Sequence, residues 1–316
     1  FSFVIVNGEL NMSKSNNDQY DFTLPHVKMM DFMSDRTIVF SENSIDQRKK
    51  FRWLYKKIEV SLYSFFANFN SIKLNKYIYL FHYSLILFFS LIFSTLLYES
   101  LAQKAGVQTK ITAFVIFYLV YLVVSLIGGF NETFVYIETL SILMALYSSI
   151  KRKKILFVLS VLIGVSNRET GMALGLIYPI VNFKNISYKQ MAVFMLIPPI
   201  FFTIVNIDII QHFFALIFYS DLGEGRPTLL NLPTLLTLGV GELINTLIIY
   251  FLFFLPLAHM IRILNRRVEV GWLKYISLLY ATIILFGSYF GNFILLLLFL
   301  PVYISATALV NKYYNT

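Results

Sequence analysis

The stretch ILFVLSVLIGVSNRETGMALGLIYPIVNF, residues 155–183, decides how the rest of the chain is threaded. Two apolar runs flank the polar four Asn167-Arg168-Glu169-Thr170. The stretch is either one long helix or two short helices hinged at those four residues. The first run, 155–166, rises only about 18 Å as an α-helix, well short of the roughly 30 Å hydrocarbon core of a bilayer. Two short helices would therefore leave the turn beneath a membrane surface. Non-helical backbone at that depth is tolerated only when protein buries it or a wet cavity receives it.

Composition makes a membrane the expected solvent. The chain has 316 residues, 58% of them hydrophobic and 14% charged, and a mean hydropathy of +0.70. A soluble domain carries about 25% charged residues, so the composition argues against an ordinary water-soluble enzyme. Apolar runs near the length of a membrane span recur along the chain, which argues for a polytopic helical protein. They are too continuous for an outer-membrane barrel, whose strands alternate. With no cysteine there is no disulfide, thiolate metal site or Cys nucleophile. His26, His82, His212 and His259 are scattered, without metal-ligand spacing. The net charge of +9 reads as cytoplasmic Lys and Arg, with no nucleic-acid partner.

The expected fold is all-α, a polytopic transmembrane helical bundle of about nine to ten spans with a long extracytoplasmic first loop carrying amphipathic interfacial helices. Residues 1–6 read as the end of a first transmembrane helix, residues 7–76 as the loop, and residues 77–316 as the transmembrane helical domain. Within the loop, 48–69 mixes basic and aromatic residues as an interfacial helix does. The spans fall at 77–98, 111–129, 134–150, 155–166, 171–183, 190–207, 229–261, 272–290 and 292–310, with 208–220 interfacial or re-entrant.

Charge supports the hinge. If 77–98 runs inward and the spans alternate, inside loops hold Lys104, Lys110, the Lys151–Lys154 run, Lys184, Lys189, Arg262, Arg266, Arg267, Lys274 and Lys312. Beyond the first loop, only Arg168 and Arg226 remain outside. One unbroken helix over 155–183 would invert every later loop and divide the basic residues about evenly, against the positive-inside bias.

The same threading collects polar punctuation outside. Arg168 and Glu169 are costly in lipid unless used or paired. The guanidinium of Arg168 suits bidentate binding of a phosphate, with Glu169 orienting it; helix capping and side-chain pairing are the other use. Arg226, in Gly223-Glu224-Gly225-Arg226, offers a second anion contact. Asp18 and Asp21 stand at the membrane edge, where a carboxylate could deprotonate a hydroxyl, hold a divalent cation or cap a turn. His26 follows shortly after them. Glu132 lies at the outer mouth of its helix, where an acid also favours the helix dipole. Glu138 and Glu242 read as deeper acids, candidates for a proton relay.

This order of parts resembles the GT-C superfamily of integral-membrane glycosyltransferases. Asp18 and Asp21 match the acidic position near the start of a long first loop, although the spacing is Asp18-x-x-Asp21 and not Asp-x-Asp. The run LIGVSNRETG, residues 162–171, looks like the charged turn between short helices in many bacterial relatives. The resemblance implies transfer of a sugar from a polyprenyl-phosphate-linked donor to a hydroxyl of a saccharide, lipid or protein acceptor, at the outer face of a bacterial inner membrane. It implies catalytic roles for Asp18 and Asp21, and substrate or phosphate contacts from Arg168, Glu169, Arg226, His26 and Glu132. No metal is assigned, and a divalent cation is the one cofactor the acids allow. Two rivals share the lipid-linked substrate: a transporter or flippase, and a polymerase of the O-antigen type.

Overall fold

The computed structural model describes residues 72–104, 106–128, 133–207, 210–212, 239–265, 270–287 and 293–314. All regular structure among them is helical. The helices are α1 (Ile72–Ala102), α2 (Val107–Gly128), α3 (Thr133–Ile150), α4 (Lys154–Asn167), α5 (Ile177–Asn182), α6 (Tyr188–Val205), α7 (Val240–Leu264), α8 (Gly271–Gly287) and α9 (Leu300–Tyr314). Two longer 3-10 stretches join them: Glu169–Leu176 runs into α5, and Phe293–Phe299 runs into α9.

Among the described residues, 5 helices are long and apolar enough to cross a membrane: Tyr83–Ala102, Val107–Val124, Tyr188–Val205, Leu243–Leu264 and Phe293–Tyr313. That fits an integral membrane protein. The expected 77–98 and 111–129 spans correspond to α1 and α2, whereas α3, α4 and α8 are apolar but shorter than a full span, so the described residues support five spans and not nine to ten. The final span begins as a 3-10 helix and ends later than the sequence suggested, at Tyr314. Of 229–261, the described part is α7, which starts at Val240 with Gly239 as its N-cap. Glu242 therefore falls in the first turn of that helix. Residues 1–71, and with them the proposed first helix end and most of the first loop, lie outside the described residues.

The centre of the bundle is α3 with the last span. From Val135 to Ser149, α3 is buried on every side apart from a half-buried Leu140. A helix buried all round must satisfy its polar groups internally. Thr139 donates to the Val135 carbonyl, Ser141 to Ile137, and Ser148 and Ser149 to Ala145. These small hydroxyls cost no outside partner, and they let neighbouring helices approach closely. The last span packs against α1, α2, α3, α7 and α8. Its Leu295–Leu300 run is entirely buried. On α6 and α7, by contrast, rows of large apolar side chains stand exposed, among them Val193, Ile200 and Ile204, and Leu247, Phe251 and Leu255. In a bilayer those rows meet acyl chains at no cost.

The turn between α3 and α4 shows how the sequence folds the chain back. Arg152 has φ 54°, in the left-handed region. Its N–H reaches the Ser149 carbonyl at 3.2 Å, and the Lys153 N–H reaches that of Ser148 at 2.8 Å. This pair of bonds is the Schellman ending of a helix, whose left-handed position normally takes glycine. Farther round the bundle, Pro256 removes an N–H from α7 and crowds the preceding turn. The Tyr303 hydroxyl of α9 donates to the Phe253 carbonyl in that turn.

Two stability changes follow in opposite directions. Arg152→Gly relieves the left-handed strain and raises stability by about 1 kcal/mol. Tyr303→Phe withdraws the donor from α7 and lowers it by about 1 kcal/mol. Thermal unfolding in detergent checks both; a Tyr303→Phe midpoint equal to wild type would mean that this hydroxyl does not stabilise α7.

Candidate functional site

The polar four of residues 155–183 form the tip of a helical hairpin. The outgoing limb α4 ends at Asn167. Arg168 alone is extended, with φ −158° and ψ 150°. Its N–H still bonds the Gly164 carbonyl at 3.0 Å, and its own carbonyl accepts from the Gly171 N–H at 2.9 Å. One extended residue, inserted between two helical stretches, is enough to turn the chain back. The reversal is thus tighter than the four-residue hinge the sequence suggested.

The limbs run antiparallel, as contacts placed symmetrically about the tip show. A Cβ on Gly171 would lie 2.3 Å from the Gly164 carbonyl carbon and oxygen, so backbone meets backbone there. Farther down, the Phe157 and Tyr178 rings stand 5.1 Å apart. At the base the returning limb leaves α4 for α3: Asn182 donates to the carbonyl of Ser149 in α3 at 3.0 Å. Glycine at 171 is required for this approach. The returning limb is 3-10 from Glu169 to Leu176 before it becomes α5. At eight residues this is long for a 3-10 helix, which usually runs three or four. Its outer side is held by α6: a Cβ on Gly175 would meet Pro198 Cγ at 2.5 Å and the Phe194 carbonyl oxygen at 2.9 Å. Pro198 supplies no N–H to that carbonyl, so the glycine approaches a backbone oxygen released by the proline.

The 14 residues of α4 rise about 21 Å. That is shorter than a hydrocarbon core of roughly 30 Å.

Side chains at the tip are buried. Arg168 is 7% exposed, Asn167 0% and Glu138 1%. Arg168 Nη1 lies 3.7 Å from Glu138 Oε2 of α3, and Arg168 Nε lies 3.9 Å from Glu169 Oε1. Thr170 Oγ1 donates to Glu138 Oε1 at 2.5 Å. A guanidinium cannot shed its proton in a protein, so a buried one needs carboxylates or another anion beside it. Here Glu138 serves both the arginine and the threonine two residues farther on. Across α1, α2 and α3, Tyr83, Tyr121 and Tyr136 form a fully buried chain of rings with neighbouring centroids 5.7 Å apart. Tyr280 of α8, also fully buried, lies within electrostatic reach of Glu138.

Of the residues the sequence nominated, the structure brings Arg168 and Glu169 together. Asp18, Asp21, His26, Glu132 and Arg226 lie outside the described residues. No group of three or more His, Cys, Asp or Glu that could hold a metal occurs among the described residues. Thr170 was missed as a site residue, and Glu138 was weighed as a relay without its link to Arg168. The signal for that link was present. A hairpin turned at Lys151–Lys153 sets Glu138 level with Asn167. The chain matches no family model, no curated protein and no solved structure.

The close backbone contact gives a direct test of the hairpin. Gly171→Ala forces the limbs apart and costs about 3 kcal/mol, while Gly271→Ala, with open space around it, leaves stability unchanged. Detergent melting of the two variants compares them; equal midpoints would mean that the limbs do not meet at Gly171.

Proposed function

We propose that the chain is an integral-membrane glycosyltransferase of the GT-C kind, with about nine to ten spans and a long first loop outside. It moves a sugar from a polyprenyl-phosphate-linked donor to a hydroxyl acceptor at the extracytoplasmic face of a bacterial inner membrane. The observation that supports this reading is an arginine buried at the tip of a broken-helix hairpin, beside a buried carboxylate.

The chemistry is a single displacement. The acceptor oxygen bonds to the anomeric carbon as the bond from that carbon to the phosphate oxygen breaks. The acceptor's proton passes to Asp18 or Asp21, and the bond's electron pair leaves on the phosphate. Configuration inverts, and no covalent intermediate forms on the protein. Arg168 stabilises the charge that builds on the departing phosphate, joined by Arg226. Its five N–H donors let it meet phosphate on one edge while a carboxylate holds another. A fixed guanidinium in a mostly dry setting acts more strongly than one in water. Glu169, Glu132 and His26 complete the substrate contacts, and a divalent cation, if used, belongs to Asp18 and Asp21. The acceptor is a saccharide, a lipid or a protein.

One observation favours a transporter of lipid-linked oligosaccharide as the second reading. Half-helices meeting at a charged tip within the membrane also build substrate sites in transporters. That protein would move substrate across the bilayer without making a glycosidic bond.

Incorporation of labelled sugar from a polyprenyl-phosphate donor, in membranes carrying the full chain, separates these readings. Arg168→Lys keeps the charge but loses the planar fork, and lowers transfer by roughly 100-fold. Asp18→Asn or Asp21→Asn, whichever removes the base, abolishes it. Undiminished transfer in all three variants sinks the assignment. Substrate movement without a new bond selects the transporter.

A further inference from the structure

We infer that Glu138 and Thr170 are positioning residues for Arg168, fixing its guanidinium against α3 at the depth where an anionic leaving group is met. The inference rests on the glycosyltransferase reading for its consequence in turnover, and on geometry for the coupling itself.

The three side chains form a closed circuit. Arg168 and Thr170 belong to the hairpin tip, and Glu138 belongs to α3. One carboxylate oxygen, Oε1, is held by the Thr170 hydroxyl at 2.5 Å. That bond orients the carboxyl group and leaves Oε2 directed at Arg168 Nη1, 3.7 Å away. Thr170 thus acts on Arg168 through Glu138, although it is two residues from the arginine along the chain.

The anchoring side is rigid. Glu138 sits in the most enclosed helix of the bundle, between Ile137 and Thr139, both buried. The Thr139 hydroxyl is committed to the Val135 carbonyl. The opposite side is the single extended residue of the hairpin, whose backbone is bonded to Gly164 and Gly171 while its long side chain reaches out to α3. A long arginine on such a residue has many rotamers, and a carboxylate on a fixed helix selects among them. The contact of 3.7 Å exceeds the 2.7–2.9 Å of a tight charge-assisted hydrogen bond. At that separation Glu138 acts on the guanidinium by charge. Glu169, at 3.9 Å from Nε, limits the other edge.

Two measurements on the full chain in lipid nanodiscs test this. The first needs no activity. A double-mutant cycle combines Glu138→Gln with Arg168→Gln and follows thermal unfolding. The double variant should be distinctly less destabilised than the two single losses added together, because the partners lose one shared contact. Strict additivity overturns the inference. The second is steady-state transfer from a polyprenyl-phosphate sugar donor. Glu138→Gln and Thr170→Val lower kcat on the order of 10- to 100-fold, with KM for the donor within about twofold, since misplacement by about 1 Å costs rate. Thr170→Ser, which keeps the hydroxyl, restores kcat. A loss that falls wholly in KM, or Thr170→Ser behaving as Thr170→Val, overturns the positioning role. A wild-type chain without transfer activity overturns the glycosyltransferase reading, and the cycle alone then decides the coupling.

Discussion

A guanidinium has been placed where water is scarce, and the surrounding fold answers to that placement. Arginine stays charged under all protein conditions, so protonation offers no relief. Its charge must be met by partners fixed in the same low-dielectric region. One of those partners, Glu138, belongs to the helix most completely enclosed by the bundle. The hairpin tip and α3 are therefore tied together by one buried ion pair and the hydrogen bond beside it. Enclosed hydroxyls that bond back to their own helix leave room for this, because they ask nothing of the neighbours.

Much of this was legible from residue order. Apolar runs gave the existence of α1, α2, α6 and α8, because span length is set by bilayer thickness and not by subtle propensity. The break at residue 168 was legible through charge: an unbroken helix would have scattered Lys and Arg to both sides. The 3-10 character of Glu169–Leu176 was not, because it arises from close packing of Gly171 on α4 and of Gly175 on α6. No local pattern encodes such a tertiary demand. The same holds for the start of the last span, where Phe293–Phe299 reads as ordinary helix. Within the site, Arg168 and Glu169 announced themselves as charges in an apolar run. Thr170 did not, since threonine is common and its role depends on which helix lies opposite.

Prolines and glycines divide the work of bringing backbones together. Pro198 leaves the Phe194 carbonyl without its usual helical donor, and Gly175 lies against that oxygen. Pro256 disturbs α7, and the Tyr303 hydroxyl supplies a donor to the same turn. In each case an adjacent element lies against the turn that the proline interrupts. The interruptions and the elements against them sit on different parts of the sequence, so neither side is understood alone.

The hairpin limbs match in length: α4 has 14 residues, and the return has 8 in the 3-10 stretch followed by 6 in α5. Contacts at the tip and in the middle tie the two limbs to each other, and the base of the returning limb is tied to α3. An insertion or deletion in one limb would shift every contact below it and rotate the outward face of that limb. Evolution can lengthen this pair only by changing both limbs at once, so homologues should vary here in side chains and conserve the count.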